Sequence, residues 1–205
     1  ITYLDTSSFL SNNGFNMQTL PAFFIPNTYQ LYKGLSVESF FKKMKREYNS
    51  FWSEKRISKC DSLGLTQIEV SILASIVEEE QDKRLDERPM IAGLYLNRLN
   101  NPQSFPYLQA DPTVKFANKN FGIKQVLYKH TDVESPYNTY KTKGLPPGPI
   151  CIPSINAIDA VLYASQHDYY FMCAGSDGDG YHKFTSSNKE HNKNKNKYKK
   201  YQNFK

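Results

Sequence analysis

Apolar residues recur at helical spacing through the first half of the chain. They repeat every three or four positions from Val37 to Tyr48, directly after Ser36, whose hydroxyl suits a helix N-cap. Thr66-Gln67-Ile68-Glu69 forms a capping box, in which the threonine caps the helix and the glutamate reaches back to the cap. The pattern therefore predicts one helix that begins after Ser36 and a second helix from Ile68 to Glu80.

The second half of the chain is predicted as shorter elements around one further long helix. That helix spans Arg88 to Leu99 and tolerates Pro89 in its first turn. The other predicted elements are loops with short strands over 100–148, a helix over 157–164, a hairpin of strands 169–174 and 181–185, and a helix in the tail.

The composition favours one folded domain of the α+β class. The chain has 205 residues, of which 39% are hydrophobic, so it can bury a core. No apolar run reaches the roughly 18 to 20 residues of a membrane span. We predict a mostly helical domain over 20–205 with a small sheet and a basic helix over 189–205. Residues 1–19 are predicted to be a linker from a preceding region.

The net charge of +6 belongs to the tail. Residues 189–205 hold seven lysines against the single acid Glu190, which leaves 19 of the 26 basic and 19 of the 20 acidic residues in the neutral remainder. A nucleic-acid-binding protein usually spreads its basic residues over a folded face, so this distribution argues against a nucleic-acid partner. The lysines are expected to form a solvated helix face or to attract anionic lipids or cell-wall carboxylates.

The cysteines and the first residue limit the remaining classes. Cys60, Cys151 and Cys173 form no C-x-x-C pair and no zinc spacing, so we expect neither a disulfide framework nor a bound metal or cofactor. Because the chain begins at Ile1 and not at Met, we expect a fragment from which any signal or anchor segment has been removed.

Glu80 is the acid that the helical pattern singles out. With Ile68 at zero and about 100° per residue, the apolar side chains centre at about 100°, Glu78 falls at about 280°, Glu79 at about 20° and Glu80 at about 120°. A carboxyl group that faces the core is desolvated, which raises its pKa and suits a general acid. Two structural alternatives stay open: a helix that ends near Val77 with three solvated glutamates, or a buried ion pair of Glu80 with an arginine.

From this helix onward the sequence resembles the endolytic murein transglycosylases, the YceG-like family. Two departures are Asn27, where the family usually has Asp, and the segment 103–107, where a Gly-Met stretch is common. The blocks that carry the resemblance are Leu73 to Glu80, Glu87 to Pro89, Ile91 to Leu99, Leu108 to Val114, Ser135 to Tyr140, Gly144 to Ile150, Pro153-Ser154, Ala157-Ile158, Tyr170-Phe171, His182 to Phe184, Glu190 to Asn192 and, upstream, Phe24 to Tyr29.

The resemblance implies a lytic transglycosylase with a lysozyme-like catalytic core. Such enzymes cleave the β-1,4 bond between N-acetylmuramic acid and N-acetylglucosamine inside peptidoglycan strands and leave a 1,6-anhydromuramic end. The resemblance also implies the extracytoplasmic face of the cytoplasmic membrane, an N-terminal anchor and a LysM-like part upstream, and work beside the synthetic machinery that ends nascent strands.

The family's essential glutamate aligns with Glu80, which the face argument selects independently. We predict that Glu80 acts first as general acid and then as general base. Asp111 is the candidate second carboxylate, although Asp-Pro turn chemistry is its structural alternative. The predicted substrate-binding residues are Gln109, Asp111, Asn138, Tyr140 and Glu78.

Three other functions remain open at this stage. The chain could be a glycan-binding module without a working acid, or a muramidase that adds water. It could also be a metal-dependent hydrolase that uses Glu78, Glu79 and Glu80 with His191, although adjacent glutamates point in different directions on a helix. The products formed from peptidoglycan separate these classes.

Overall fold

The structure is a computed structural model that describes residues 9–203. Helices predominate, and a two-stranded antiparallel sheet completes the α+β fold that the sequence predicts. The elements are α1 (Phe9–Asn12), α2 (Leu20–Phe23), α3 (Val37–Phe51), α4 (Glu54–Leu63), α5 (Gln67–Glu80), a 3-10 helix (Leu85–Glu87), α6 (Arg88–Asn100), α7 (Asp111–Ala117), α8 (Tyr128–Thr131), α9 (Ile155–Leu162), β1 (Phe171–Ala174), β2 (His182–Thr185) and α10 (Asn188–Asn203).

Helix α5 is the central element of the core. Its capping box forms as predicted, with the Thr66 N–H donating to Glu69 Oε2 at 2.8 Å and the Glu69 N–H donating to Thr66 Oγ1 at 3.2 Å. Every residue from Val70 to Val77 is buried, and the helix packs against α6 and α9. A helix buried on all sides has no solvated face. The assumption of a single apolar face, on which the sequence argument rested, is therefore wrong for this helix.

Two regions differ from the elements that the sequence predicts. Helix α4 was not anticipated, because Cys60 is its only buried residue and no apolar stripe marks it. The helix ends at Gly64, which takes the left-handed conformation with φ 66°. The short strands expected over 100–148 are absent from this described segment, which instead forms α7 and α8 between loops. Helix α7 begins at Asp111-Pro112, because proline is well placed in a first helical turn.

The described part of the segment 1–19 packs on the same core. Leu10 and Phe15 are buried, and the Phe15 ring contacts Phe23 and Tyr48 edge-to-face with centroids 5.2 and 5.3 Å apart. A Cβ atom at Gly148 would collide with the carbonyl oxygen of Gln18, so residues near position 18 also contact the proline-rich loop. Residues 9–19 are thus packed against the domain. The predicted boundary at residue 20 stays a prediction, and residues 1–8 lie outside the described range.

The hairpin and the last helix form as predicted. Strand β1 pairs with β2 in the register Phe171 to Thr185, and α10 packs across both strands. Residues 204 and 205 of the predicted basic helix lie outside the described residues. Among residues 9–203, no single helix has the length and apolar character to cross a membrane; α4 and α5 together meet that test, with a bend of 78° between them.

Candidate active site

Glu80 is the last residue of α5 and lies half-buried beside α6. The helix stops there because Gln81 takes an extended conformation. The hydroxyl of Tyr95, a buried residue of α6, donates a hydrogen bond of 2.6 Å to Glu80 Oε1. Oε2 of Glu80 accepts no hydrogen bond from another described residue. One carboxyl oxygen is therefore fixed by the protein and the other is available to a ligand.

The surroundings of Glu80 raise its pKa to about 7. Burial is the largest cause, and the negative charge of Asp111 adds to it. The Tyr95 hydrogen bond and the positive charges of His182 and Lys115 act in the opposite direction. A carboxyl group with this pKa is present in both protonation states near neutral pH, so it can give a proton and later take one back.

Asp111 is the second acid of the site. It is the first residue of α7, and the Tyr140 hydroxyl donates a 2.6 Å hydrogen bond to its Oδ1. Burial raises the pKa of Asp111, and the Tyr140 hydrogen bond and the charges of Lys115 and Lys195 partly offset that rise. The structure thus brings together three predicted site residues, Glu80, Asp111 and Tyr140. Their roles toward a substrate stay predictions.

Gln109 lies next to Asp111 in an uncommon backbone conformation. Its φ is 53°, in the left-handed region that residues other than glycine seldom adopt. Its backbone N–H donates to Thr139 O at 3.0 Å, while its side chain is exposed and hydrogen-bonds no other described residue. This geometry leaves the Gln109 amide available for a ligand, as predicted for substrate binding.

Asn138 does not reach the cleft, contrary to the role that the sequence suggested. The residue is 0% exposed. Its amide nitrogen donates to Thr131 O and Val133 O at 2.9 and 2.8 Å, and its Oδ1 accepts from the Tyr140 N–H at 3.1 Å. These bonds hold the loop that carries Tyr140, so Asn138 positions that loop and has no surface on which to bind a sugar.

Glu78 is likewise engaged by the protein. Its Oε2 accepts a 2.6 Å hydrogen bond from the Ser154 N–H at the N-cap of α9. Its Oε1 lies 3.5 Å from Arg88 Nη2, and the Arg88 side chain is only 4% exposed. Because both oxygens are occupied, Glu78 ties the end of α5 to α6 and α9. It is neither the solvated acid that the helical wheel indicated nor placed to bind substrate.

The proline-rich loop over 144–150 is anchored to the Glu80 helix. The Ile150 N–H donates to Oγ of the buried Ser75 at 3.0 Å. Ser75 lies on α5 one and a half turns before Glu80, so the loop and the acid share one support.

Sequence reasoning assigned no role to three further residues of the site. Tyr95 fixes Glu80, and Arg98 lies one turn along α6. Arg98 donates from Nε to Tyr170 O at 2.8 Å and from Nη1 to Leu108 O at 2.6 Å, and so joins α6 to the segments before β1 and α7. A tyrosine inside an otherwise apolar helix needs a polar partner, and an arginine at i+3 shares its face; these signals could have identified both residues.

His182 is the third residue. Its Nδ1 lies 2.7 Å from Glu87 Oε2, and its N–H donates to Glu87 Oε1 at 2.6 Å. Burial lowers the pKa of His182, but the hydrogen bond and charge of Glu87 outweigh burial, so the pKa is raised. The imidazole therefore brings positive charge toward Glu80 when it is protonated.

The acids and histidines of residues 9–203 do not converge on a point. No group of three or more His, Cys, Asp or Glu side chains in this range is placed to hold a metal ion. Glu78 and Glu80 turn to different partners, and the His191 ring stacks on Phe171 with centroids 5.4 Å apart. The metal-dependent alternative built on these four residues thus lacks its ligand set.

Comparison with known proteins gives one consistent family. A model of the YceG-like family matches residues 2–197. The endolytic murein transglycosylase of Bacillus subtilis is 35% identical over 193 residues, which are 92% of this chain and 51% of that protein. That of Streptococcus pneumoniae serotype 2 is 30% identical over 180 residues, which are 85% of this chain and 31% of that protein.

The fold agrees with a solved structure as well. A crystal structure of a YceG-like protein from Listeria monocytogenes superposes with a TM-score of 0.70 at 32% identity, covering 84% of this chain and 54% of that one. The chain spans about half the length of the Bacillus and Listeria relatives and a third of the streptococcal one. The match over nearly all of its residues shows that this chain belongs to the YceG-like family.

Proposed function

We propose that this chain is a lytic transglycosylase that cleaves the β-1,4 bond between N-acetylmuramic acid and N-acetylglucosamine inside peptidoglycan strands. The observation that carries the proposal is Glu80, a half-buried carboxyl with a pKa of about 7 and one oxygen held by Tyr95. The names of the curated relatives support the same activity.

In the first step Glu80 is the general acid. Its proton passes to the glycosidic oxygen while the bond from that oxygen to muramic C1 breaks, and the N-acetylglucosamine leaves with a neutral hydroxyl. The ring passes through an oxocarbenium-like state. Burial favours the protonated form that this step consumes.

In the second step the Glu80 carboxylate is the general base. It removes the proton of the muramic O6 hydroxyl while O6 bonds to C1, which closes the 1,6-anhydro ring and restores the acid. The Tyr95 hydroxyl stabilises the carboxylate between the steps, and protonated His182 adds a favourable charge. No water enters and no second carboxylate is needed, so Asp111 serves through Tyr140 and its own electrostatic effect on Glu80.

A muramidase is the second candidate, and Asp111 is the observation that favours it. Its carboxylate lies close enough to raise the pKa of Glu80, and a second acid near the first can direct a water molecule to C1. The hydrolytic product would carry a reducing muramic end in place of the anhydro ring.

Action on peptidoglycan would place the whole protein on the extracytoplasmic side of the cytoplasmic membrane. Internal cleavage of new strands would also set their length, which agrees with a role beside the synthetic machinery in ending nascent strands. These statements extend the proposal from the domain to the cell. Recovery of the whole protein with cytoplasmic markers after fractionation would contradict them.

Digestion of purified peptidoglycan tests the proposal. The domain and its Glu80→Gln variant are incubated with isolated sacculi, and the soluble products are separated and weighed by mass spectrometry. Products ending in 1,6-anhydromuramic acid from the wild type, and none from the variant, are expected. Reducing muramic ends would establish the muramidase, and sedimentation with sacculi without any soluble product would establish a binding module.

A further inference from the structure

The lysines of α10 do not all face the same surroundings. The helix lies across the hairpin on a face formed by half-buried residues that include His191, Tyr198 and Tyr201. At about 100° per residue, Lys195 lies about 90° to one side of this inward face and Lys197 about 70° to the other. One helix thus presents lysines along two opposite edges.

The charges that these two lysines meet identify the edges. Hydrogen bonding and charge from Lys183 lower the pKa of Asp177 in the hairpin turn, and Lys197 adds to that effect. Lys195 acts on the other side of the hairpin. Its charge opposes the rise that burial causes in the pKa of Asp111, at the start of α7. The edge with Lys195 therefore borders the Glu80 cleft, and the edge with Lys197 faces the hairpin turn.

Lys115 lies across the cleft on α7. Its charge acts on both Glu80 and Asp111. Neither Lys115 nor Lys195 forms an ion pair with another residue of the described range, whereas Lys183 pairs with Asp177 at 2.5 Å and Lys193 with Glu190 at 3.6 Å. The rim of the cleft therefore carries two cations without an acidic partner in residues 9–203, on opposite sides of the proposed catalytic group.

We infer that Lys195 and Lys115 bind the carboxylates of the peptide stems on the muramic residues of the substrate. This inference rests on the proposed function. The sugars of a stem-bearing strand are uncharged, because the lactyl group is amide-linked to the stem, so the stems supply its carboxylates. A cation at the rim has a matching charge only on that part of the substrate. The enzyme would therefore prefer strands with ionised stems to strands with neutral stems.

The test compares two lysines on one helix with two forms of one substrate. Lys195→Gln is the test variant, and Lys197→Gln is the matched control from the opposite edge. The substrates are uncrosslinked peptidoglycan strands and the same strands after carbodiimide coupling to methylamine, which neutralises the stem carboxylates and keeps the stems. Initial rates of product release give kcat and KM for each pair.

An exposed charge pair changes an affinity by about two- to fivefold. We expect wild type to lose about that factor or more in kcat/KM on the amidated strands, through KM. Lys195→Gln should lose about two- to fivefold on untreated strands and nothing further on amidated ones. Lys197→Gln should match wild type on both. Lys115→Gln should change KM in the same direction, and because its charge reaches Glu80 it should also move the pH profile.

Three results would overturn the inference. One is a wild-type rate for Lys195→Gln on untreated strands. The second is an equal loss on both substrates, which would mean that Lys195 acts only through Asp111. The third is unchanged cleavage together with a loss of binding to anionic phospholipid vesicles, which would assign the helix to a membrane surface. Failure of the proposed function looks different, since no protein would then release product from either substrate.

Discussion

Replacing Glu80 with glutamine should change how the stability of the domain depends on pH. The pKa of Glu80 is raised from 4.5 to about 7 in the folded protein, chiefly by burial. Between these values the folded state keeps a proton that the unfolded state releases. The free energy of unfolding of the wild type should therefore fall as pH rises through this window, because ionising the buried carboxyl costs more in the folded state. Glutamine stays neutral and removes that cost.

The size of the effect follows from the shift. Each unit of pKa difference corresponds to about 1.4 kcal/mol, so the full window gives an upper value of about 3 kcal/mol. Glu80 is only half-buried, and solvent contact reduces this figure. We expect Glu80→Gln to gain about 1 to 3 kcal/mol relative to wild type between pH 4.5 and pH 8. The glutamine carbonyl can still accept the Tyr95 hydrogen bond, so loss of that bond should not mask the trend.

Urea unfolding at a series of pH values measures this difference. The free energy of unfolding is extrapolated to water for both proteins at each pH, and the difference is plotted. Other titrating groups, such as the His182–Glu87 pair, are present in both proteins and cancel to first order. Glu79→Gln is the control, since Glu79 is exposed one position earlier on the same helix. A flat difference for Glu80→Gln between pH 4 and 8 would refute the claim that Glu80 is desolvated.

Three further substitutions separate catalytic groups from supporting ones. Tyr95→Phe removes the bond that lowers the pKa of Glu80, so kcat should fall about tenfold and the basic limb of the pH–rate profile should move to higher pH; an unshifted limb would contradict the assignment. Glu78→Gln leaves the buried Arg88 unpaired and should cost about 1 to 3 kcal/mol in urea unfolding with kcat within about twofold of wild type; a large kcat loss in folded protein would show that Glu78 acts in the chemistry. Asn138→Ala should lower the melting temperature by several degrees, for a loss of about 1 to 3 kcal/mol, and leave KM nearly unchanged; a selective rise in KM would restore its predicted contact with the sugar.

Local signals predicted the elements that carry their own start and stop chemistry. The capping box at Thr66 fixed the start of α5 to within a residue, and the glycine-rich turn between β1 and β2 indicated the hairpin. Helix α4 has neither an apolar stripe nor a capping hydrogen bond at Ser53, so nothing in its sequence distinguishes it from a polar loop. Its position depends on tertiary contacts, including the pair of Arg56 with Asp159 at 3.0 Å.

The candidate site divides in the same way. Glu80 could be selected because a carboxyl at the end of an apolar helix is unusual, even though α5 proved to be buried on all sides. The Tyr95 contact, the Asp111–Tyr140 bond and the burial of Asn138 join residues that lie 15, 29 and up to 7 positions apart. Loop paths set these contacts, and periodicity carries no information about loop paths.

The account has one central claim, that Glu80 transfers a proton out and back while no water is added. Digestion of peptidoglycan in water enriched in the heavy oxygen isotope tests it most directly, with mass spectrometry of the new muramic ends. We predict anhydromuramic ends that contain no heavy oxygen, formed by the wild type and absent with Glu80→Gln. Reducing ends that carry the heavy isotope at C1 would contradict the claim and make the enzyme a muramidase.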